Sequence, residues 1–450
     1  MPAEGLHAEM SSLAGVRVGV IGAGRSGIAA AQLLKRLGAR VLLSDNGRIE
    51  GPLPRGIDVE SGRHSRRLLD CNLIIRSPGV PENLPILDRI RRQGIPIWSE
   101  LELAGRYSRA RHLVAVTGTN GKTTTATLIG EFFKRAGRKT FVAGNIGLPL
   151  SAVAAKTSPA ASVVLEVSSY QLENIDTFHP TVSVILNITP DHLEHHGTMK
   201  AYADAKARIF ENQTARDVCV LNADDAGCRR LAGRCRARVI FFSRRRKLKQ
   251  GIYMDGDDFV IRWRRRRQSW FLRSNIPGPH NVENILAAVA VGVAAGIPVS
   301  VMRRVLAAFR GVEHRLELVR TLRGVRYIND SKGTNVDSTR VALLSFASPL
   351  VLILGGEGKG SSYAPLKPLV RERVKRVLLI GEDAPRIARE LRGAAPKERL
   401  HHLARAVRRA QQIAKAGDVV LLSPACASFD QYKNYEERGR HFKALVRGLR

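Results

Sequence analysis

The sequence contains few cysteines, too few acidic residues to balance its basic ones, and no clear membrane-spanning run. Five cysteines are scattered along its 450 residues without a CxxC pair: Cys71, Cys219, Cys228, Cys235 and Cys426. This spacing argues against a disulfide framework and against a cysteine zinc site. The longest uncharged run, Ile285–Met302, contains two glycines and a proline, and it predicts a buried helix rather than a membrane span. Residues 1–12 are polar and lack the apolar region of a signal peptide, so we expect a cytoplasmic protein without a transmembrane segment.

The chain is strongly basic, with 73 Lys and Arg against 40 Asp and Glu and a net charge of +33. Such an excess suggests an anionic partner such as nucleic acid, a membrane surface or an acidic substrate, although a genome that favours Arg codons explains it equally well. The densest part, Arg229–Arg273, holds 16 basic residues and 3 Asp, a net of +13. The turn Asp255–Asp258 within it predicts a β-hairpin. We favour the interpretation that this segment is a hairpin exposed to solvent. The alternative is a basic surface patch that first contacts an anionic membrane or partner.

Apolar strands and helical spacers alternate in three successive series, which predicts an α/β fold with parallel sheets. The expected domains are a Rossmann-like domain at residues 1–104, a central P-loop ATPase-type domain at 105–311, and a Rossmann-like domain at 312–450. Hydrophobic residues make up 44% of the chain, which is enough for such cores and excludes a disordered protein.

The first motif is a glycine pattern, Gly22-x-Gly24-x-x-Gly27, between a strand and a helix, with Asp45 at the end of the next strand. Glycines allow a tight turn and the close approach of a diphosphate to the helix N-terminus, and a carboxylate can accept ribose hydroxyls. The pattern predicts binding of a nucleotide diphosphate. Taken alone, it also fits an NAD-dependent dehydrogenase.

The second motif is a phosphate-binding loop that follows the first strand of the central domain. Its residues are Gly118, Thr119, Asn120, Gly121, Lys122, Thr123 and Thr124. Val116 stands where the full P-loop pattern has its first glycine, but the rest of the chemistry is present. Backbone N–H groups cradle phosphates, Lys122 reaches the β- and γ-phosphates, and the Thr123 hydroxyl can ligate Mg²⁺. A second nucleotide loop favours an ATP-driven enzyme over a simple dehydrogenase.

Acidic and histidine residues follow the next strands. Glu166 ends an apolar strand, where a phosphate-bound Mg²⁺ needs an oxygen ligand, and His192 follows a later strand. The i, i+4 spacing of His192 and His196 makes a zinc site conceivable, but HExxH is absent and no cysteine is nearby, so zinc is disfavoured. We expect His195 and His196 to face solvent.

Polar loops at predicted strand ends recur in the last third of the chain, and together they indicate a site for phosphate and carboxylate. They are His280-Asn281-x-x-Asn284, Glu313-His314-Arg315, Asn329-Asp330-Ser331-Lys332, Gly355-Gly356-x-Gly358-Lys359 and Ser423–Asp430.

These motifs, in this order, resemble those of the Mur ligase family. The resemblance rests on GTNGKT, LEVSSYQLE, NITPDHLEHH, ADAKARIF, PGPHNVEN, EHRLE, INDSKGTN, GGEGKG and SPACASFDQYKNYEERG, and it extends from Val16 to Gly439. It implies an ADP-forming carbon–nitrogen ligase of peptidoglycan precursor synthesis that joins D-glutamate to UDP-N-acetylmuramoyl-L-alanine through an acyl phosphate. L-glutamate stays open, because both enantiomers present the same groups. A monomer with no nucleic-acid partner is expected; a basic nucleic-acid-binding ATPase is the less favoured alternative.

The resemblance also implies roles for individual residues. UDP-sugar contacts would come from Arg25, Ser26, Asp45, Asn46, Gly79 and Asn145, with Ser168 and Gln171 also on the substrate side. ATP would be held by the phosphate-binding loop together with Asn281, Asn284, Arg315 and Asp330. Glutamate would be held by Thr334, Lys359, Ser428, Phe429 and Tyr435. Two Mg²⁺ ions would be ligated by Thr123, Glu166, His192 and a carbamylated Lys206.

The groups implied to act in the reaction itself are Lys122, His192, Lys206 and Lys332, with His192 as the candidate base for the incoming amine. Spacing alone would leave Lys206 as an exposed helical lysine.

Overall fold

The computed structural model describes residues 13–49, 53, 55–263, 266–271, 275, 276, 278–358 and 360–450. Lys359, residues 1–12 and parts of the basic segment Arg229–Arg273 lie outside the described residues. The chain divides into two compact units, Met1–Phe271 with Ile285–Val305, and Leu272–Asn284 with Leu306–Arg450. Each unit is described by itself.

The first unit begins with a five-stranded parallel sheet in the order β3-β2-β1-β4-β5. Its strands are β1 (Arg17–Ile21), β2 (Arg40–Asp45), β3 (Asp58–Ser61), β4 (Leu73–Arg76) and β5 (Ile97–Ser99), and its helices are α1 (Arg25–Arg36), α2 (Pro85–Arg92) and α3 (Glu100–Tyr107). The strand order reverses between β1 and β4, and ligands of such sheets bind at the carboxyl ends of the strands beside that point. The fully buried Val18, Val20 and Ile75 form part of the core.

The same unit contains a nine-stranded sheet in the order β14-β13-β12-β11-β10-β9-β6-β8-β7. Its strands are β6 (His112–Thr117), β7 (Thr140–Gly144), β8 (Ser162–Glu166), β9 (Val182–Ile185), β10 (Val218–Asn222), β11 (Arg238–Ser243), β12 (Gly251–Asp255), β13 (Asp258–Trp263) and β14 (Arg266–Phe271). Strands β6 to β12 pair in parallel, and β12 to β14 pair antiparallel. The predicted hairpin is therefore β12–β13, with Asp255 and Asp258 as its closing pair.

Helices α4 to α9 accompany this sheet. They are α4 (Lys122–Arg135), α5 (Leu150–Ala154), α6 (Ser169–Leu172), α7 (Leu193–His196), α8 (Met199–Ala207) and α9 (Ala226–Ala232). Two more helices follow the hairpin, α10 (Pro279–Ala294) and α11 (Val299–Ala308). The prediction of one buried helix over Ile285–Met302 is wrong, because the run covers the end of α10 and the start of α11. Gly296 adopts φ +71° between them, and Pro298 cannot continue a helix.

The second unit contains a six-stranded sheet in the order β15-β16-β20-β17-β18-β19, parallel except for the β15–β16 pair. Its strands are β15 (Glu317–Leu322), β16 (Val325–Asn329), β17 (Leu350–Gly355), β18 (Val374–Ile380), β19 (Lys397–His401) and β20 (Val419–Leu422). The helices that follow β16 along the chain are α12 (Val336–Leu344), α13 (Lys367–Arg373), α14 (Ala384–Glu390), α15 (Leu403–Ile413) and α16 (Tyr435–Arg447). Apolar clusters on the two faces of the sheet form its core.

Three sheets along the described chain agree with the predicted α/β architecture. The domain limits stay predictions; the limit at residues 104 and 105 falls inside α3. No helix in the described ranges combines the length and apolar character that crossing a membrane requires.

Candidate active site

A cavity of about 470 Å³ opens at the carboxyl ends of the first sheet. It is lined by most of the residues predicted to contact the UDP-sugar: Arg25, Ser26, Asp45, Asn46, Gly79, Asn145 and Gln171. Two of these, Asn145 just after β7 and Gln171 in α6, belong to segments that accompany the nine-stranded sheet, so both parts of the first unit line the cavity. Ser168 does not line it; its hydroxyl caps α6 and its neighbour Gln171 completes the capping box.

The glycine pattern shapes the floor of this cavity. Gly22 adopts φ +94°, which favours glycine, and a Cβ on Gly27 would lie 1.8 Å from the Gly22 carbonyl oxygen. The Ser77 hydroxyl donates to the same oxygen at 2.9 Å. Only glycine at position 27 therefore lets α1 start this close to the preceding turn.

Asp45 organises the loops around the cavity. Its Oδ2 accepts from the Ala23 N–H at 2.6 Å, and its Oδ1 accepts from the Gly47 N–H at 2.7 Å. Each carboxylate oxygen has further lone pairs. The carboxylate thus joins the ends of β1 and β2 while retaining acceptor capacity for a ligand hydroxyl.

The phosphate-binding loop lies between β6 and α4. Gly118 and Gly121 have φ of +149° and +87°, and the Lys122 Nζ donates to the Gly118 and Thr119 carbonyl oxygens at 2.8 Å each. Asn187, which sequence reasoning missed, accepts from the Asn120 N–H at 2.8 Å and donates to its carbonyl at 3.1 Å. Its position just after β9 gave no signal, because the contact joins residues 67 apart.

Glu166 is only 1% exposed at the end of β8. Its two carboxylate oxygens accept from the Thr123 hydroxyl at 2.7 Å and the Asn145 amide at 2.9 Å. Among the residues that the structure describes, no basic side chain forms an ion pair with it. A buried carboxylate without a counter-charge is costly, and a hydroxyl oxygen next to it completes a donor set suited to a hard divalent cation.

His192 occupies a strained position, with φ +53° just before α7. Its Nδ1 lies 3.2 Å from the Tyr170 hydroxyl. Burial raises the pKa of Tyr170 to about 12, so this hydroxyl stays protonated. His192 is the N-cap of α7, and its carbonyl oxygen accepts from the His196 N–H at 3.1 Å.

The expectation that His195 and His196 face solvent is wrong. Both are partly buried, and they contact Glu173 from another segment of the chain. The segment that contains Glu173 packs against this short helix. A contact between distant segments cannot be predicted from the spacing of residues within one helix.

Lys206 is buried, contrary to the exposed position that spacing alone suggests. Its side chain is 1% exposed, its Nζ donates to the Gly118 carbonyl oxygen at 3.1 Å, and the same nitrogen lies 4.4 Å from the centre of the Tyr202 ring. Burial, followed by the charge of Lys122, holds the pKa of Lys206 well below its usual value. The lysine thus reaches the phosphate-binding loop from α8 as a group that favours the neutral amine.

In the second unit, Asp330 is fully buried at the end of β16. It accepts from the Arg315 guanidinium at 3.3 Å and from the Ser423 hydroxyl at 2.8 Å. Burial raises the pKa of Asp330, and Arg315 opposes that rise. Asn281 and Asn284 are also buried in this unit, with the Asn284 amide donating to Asn281 at 3.1 Å.

The loops after β16 and β20 are joined to each other. The Ala425 N–H donates to the Gly333 carbonyl at 2.8 Å, and the Lys332 Nζ lies 5.4 Å from the centre of the Tyr435 ring. Of the residues predicted for glutamate, Ser428 is buried, Thr334 and Tyr435 are half-buried, and Phe429 is 69% exposed. Lys359 lies outside the described residues.

Arg438 clamps these loops and was not predicted. It is buried on α16, and its guanidinium donates to the Ser331 hydroxyl, the Ser331 carbonyl and the carbonyls of Cys426 and Ala427, at 3.0–3.1 Å. Burial lowers the pKa of Arg438 to about 10. Its only sequence signal was membership of the quoted SPACASFDQYKNYEERG run.

Sequence comparison decides the family. Profiles of three domains match in order: the MurD-like N-terminal domain of Mur ligases at residues 16–99, the Mur ligase middle domain at 116–292, and the glutamate ligase domain of Mur ligases at 314–426. This chain belongs to the Mur ligase family. The family is one of ATP-dependent ligases, as the phosphate-binding loop indicated.

Full-length relatives narrow the assignment within the Mur ligases. The UDP-N-acetylmuramoylalanine–D-glutamate ligase of Koribacter versatilis is 47% identical, over 97% of this chain and 98% of its own. The protein of the same name from Clostridioides difficile is 42% identical, over 97% of this chain and 100% of its own. The enzyme class is therefore that of the Mur ligases, a carbon–nitrogen ligase of peptidoglycan precursor synthesis.

Solved structures of Mur ligases share the fold. The UDP-N-acetylmuramate–alanine ligase of Thermotoga maritima superposes with a TM-score of 0.61 at 20% identity, over 96% of this chain and 99% of its own. The pseudomurein peptide ligase type C of Methanothermus fervidus gives 0.61 at 18% identity, over 97% and 100%. The predicted three-domain α/β architecture is confirmed.

Proposed function

We propose that this Mur ligase joins D-glutamate to UDP-N-acetylmuramoyl-L-alanine, with ATP converted to ADP and phosphate. The observation that carries the proposal is the contact between Thr123 of the phosphate-binding loop and the buried Glu166, together with the buried Lys206, which donates to Gly118 of the same loop. These groups suit a nucleoside triphosphate and its cation. The relatives' printed names supply the acceptor and the amino acid.

The UDP-sugar is proposed to occupy the cavity of the first sheet. Its diphosphate would lie at the N-terminus of α1, where Arg25 and Ser26 line the wall. Asn46 and Gly79 would lie on the nucleotide side. Asn145 also donates to Glu166, so it links the sugar end of this cavity to the metal-binding carboxylate.

ATP is proposed to bind through the loop Gly118–Thr124 and through Asn281, Asn284, Arg315 and Asp330. Glutamate is proposed to contact Thr334, Lys359, Ser428, Phe429 and Tyr435. Lys332, which packs near Tyr435, would neutralise charge on the transferred phosphoryl group.

Two Mg²⁺ ions are proposed, held by Thr123, Glu166, His192 and Lys206. These residues suit a divalent cation, because Glu166 is buried and has no ion-pair partner among the residues that the structure describes. The Thr123 hydroxyl next to it supplies a second oxygen donor. Bound Mg²⁺ would supply charge neutralisation for the phosphates. Lys206 would act as a carbamate; its lowered pKa favours the neutral amine, the form that adds carbon dioxide.

The proposed reaction has two steps, phosphoryl transfer and attack by the amine. An oxygen of the alanyl carboxylate attacks the γ-phosphorus, the bond to ADP breaks, and an acyl phosphate forms. The glutamate amine attacks the acyl carbon, loses a proton to His192 as candidate base, and inorganic phosphate leaves. Lys122 and Lys332 hold the phosphoryl oxygens, and catalysis consists largely of positioning and charge neutralisation.

The deciding experiment measures phosphate release with UDP-N-acetylmuramoyl-L-alanine, ATP, Mg²⁺ and each glutamate enantiomer. We expect release with D-glutamate and none above background with L-glutamate; release only with L-glutamate would establish the alternative. Absence of release with both would overturn the proposal. Hydride transfer to NAD and salt-sensitive nucleic-acid binding are not favoured, since neither accounts for the match to the glutamate ligase domain. A cytoplasmic monomer stays a prediction.

A further inference from the structure

Three side chains that the proposed reaction does not use form a compact cluster in the first unit. They are Glu173, His195 and His196, and one potential ligand atom of each lies within 4.8 Å of the others. Glu173 directly follows α6, whereas both histidines belong to α7. Two segments that are 22 residues apart therefore bring a carboxylate and two imidazoles together.

The distances within this cluster suit one metal ion. Glu173 Oε1 lies 2.6 Å from His195 Nε2 and 3.7 Å from His196 Nδ1. Two ligands at about 2.0–2.1 Å from a tetrahedral zinc ion are separated by about 3.3 Å. The observed separations bracket that value, so small side-chain rotations would place all three donors on one ion.

Neighbouring groups orient two of the three donors, His196 and Glu173. The Ser169 hydroxyl lies 2.9 Å from His196 Nε2, so with Nδ1 turned to a metal the Nε2–H can donate to that hydroxyl. Arg76 Nη1 lies 3.5 Å from the other oxygen of Glu173, which leaves Oε1 for the cluster. Metal-bound histidines typically have their second ring nitrogen held in this way.

We propose that Glu173, His195 and His196 form a binding site for a divalent transition-metal ion of the Zn²⁺ class. Two imidazoles and one carboxylate favour Zn²⁺, Ni²⁺ or Co²⁺ over Mg²⁺, which prefers oxygen donors. Three protein ligands leave a fourth position open for water or an exogenous ligand. The site shares no ligand with the proposed Mg²⁺ set of Thr123, Glu166, His192 and Lys206, although Tyr170 contacts His192, His195 and His196.

Occupation of this site would restrain the segment that leads from Gln171 to Glu173. Gln171 lines the cavity of the first sheet, and Arg76 contacts Glu173 from the end of β4. A metal ion that draws Glu173 Oε1 towards the two histidines therefore acts on the wall of the cavity.

The test is titration of the full chain with Co²⁺ in saturating Mg²⁺, followed by visible absorption and by displacement with Zn²⁺. We expect one Co²⁺ per chain with a tetrahedral spectrum. The double variant His195→Gln/His196→Gln should weaken binding by more than the ~10–100-fold that loss of an outer hydrogen bond costs. His179→Gln, at a partly exposed histidine that pairs with Asp217, is the matched control and should leave the titration unchanged.

Further variants distinguish this site from the Mg²⁺ set. The Co²⁺ spectrum should persist in His192→Gln; if it disappears there and remains in the double variant, the assignment is overturned. A wild-type titration without a tetrahedral spectrum would also overturn it. If the double variant fails to fold, Glu173→Gln keeps a side chain of the same shape, and Ser169→Ala should weaken Co²⁺ binding about 10- to 100-fold while keeping all three ligands. Unchanged affinity in both would refute the proposal.

Discussion

Lys206 should make the stability of this protein depend on pH in a predictable direction. Burial lowers the pKa of Lys206 in the folded state, whereas the unfolded chain exposes an ordinary lysine. Between these two pKa values the folded state has released a proton that the unfolded state still binds. Stability therefore rises with pH across this window, and the buried amine is least favourable below the folded pKa.

The size of this pH dependence follows from the single proton that Lys206 releases when the chain folds. Inside the window, the free energy of unfolding should rise by about 1.4 kcal/mol for each pH unit. Lys206→Met keeps an unbranched side chain in the same space but cannot be protonated, so it removes this contribution. Loss of the hydrogen bond to the Gly118 carbonyl shifts the variant by a constant amount and leaves the slope difference intact.

The assay is urea unfolding of both proteins at several pH values, in buffer freed of carbon dioxide so that no carbamate forms. The control is Lys200→Met, on the same helix α8 but with a side chain that is 90% exposed. As the pH rises through the window, the free energy of unfolding of the wild-type protein and of Lys200→Met should increase with the same slope. That slope should be steeper than the slope of Lys206→Met. Three parallel pH profiles would show that Lys206 titrates normally and would refute the reasoning.

Three further changes have expected outcomes. Lys122→Ala should reduce phosphate release by about 100- to 1,000-fold, because it removes a preorganised cation from the transferred phosphoryl group. Gly27→Ala should lower the free energy of unfolding by about 1–3 kcal/mol, since its Cβ would lie 1.8 Å from the Gly22 carbonyl oxygen. Glu102→Gln should cost about 3 kcal/mol in urea unfolding, because the buried carboxylate accepts backbone N–H groups of residues 176–178 and pairs with Arg106.

Matched variants control for each of these changes. Lys134→Ala alters an exposed lysine at the other end of α4 and should leave phosphate release unchanged. Gly79 lines the cavity, and nothing lies within 4 Å of the Cβ position there outside its chain neighbours, so Gly79→Ala should change the free energy of unfolding little. Glu131→Gln breaks only an exposed pair and should cost less than about 0.5 kcal/mol. Equal effects within any matched pair would contradict the corresponding prediction.

Much of the fold could be predicted from local patterns. Strands that are fully covered on both faces are recognised by continuous apolar runs, such as Val163–Leu165 within the buried strand Ser162–Glu166. The run Ile285–Met302 was harder to interpret, because a buried helix is apolar on all sides and its end depends on a single turn. Gly296 and Pro298 mark that turn, but the apolar residues on either side of it continue without a change in character.

In the candidate site as well, some residues could be predicted from local sequence and others could not. Loops such as Gly118–Thr123 carry their chemistry in consecutive residues, so their function can be interpreted from the sequence alone. Arg438 and Asn187 could not be assigned, because each acts through contacts with residues far away in the chain. A buried arginine that binds carbonyl oxygens and an exposed arginine look the same in a sequence.

The sequence by itself determined the family, the nucleotide-binding loops and the alternation of strands and helices, because these depend on residues close together in the chain. Only the tertiary structure decided that Lys206 is buried against the phosphate-binding loop and that Glu173 meets two histidines. Burial and proximity arise when separate segments pack together, and they set the charge state of a lysine or the donor set of a metal site.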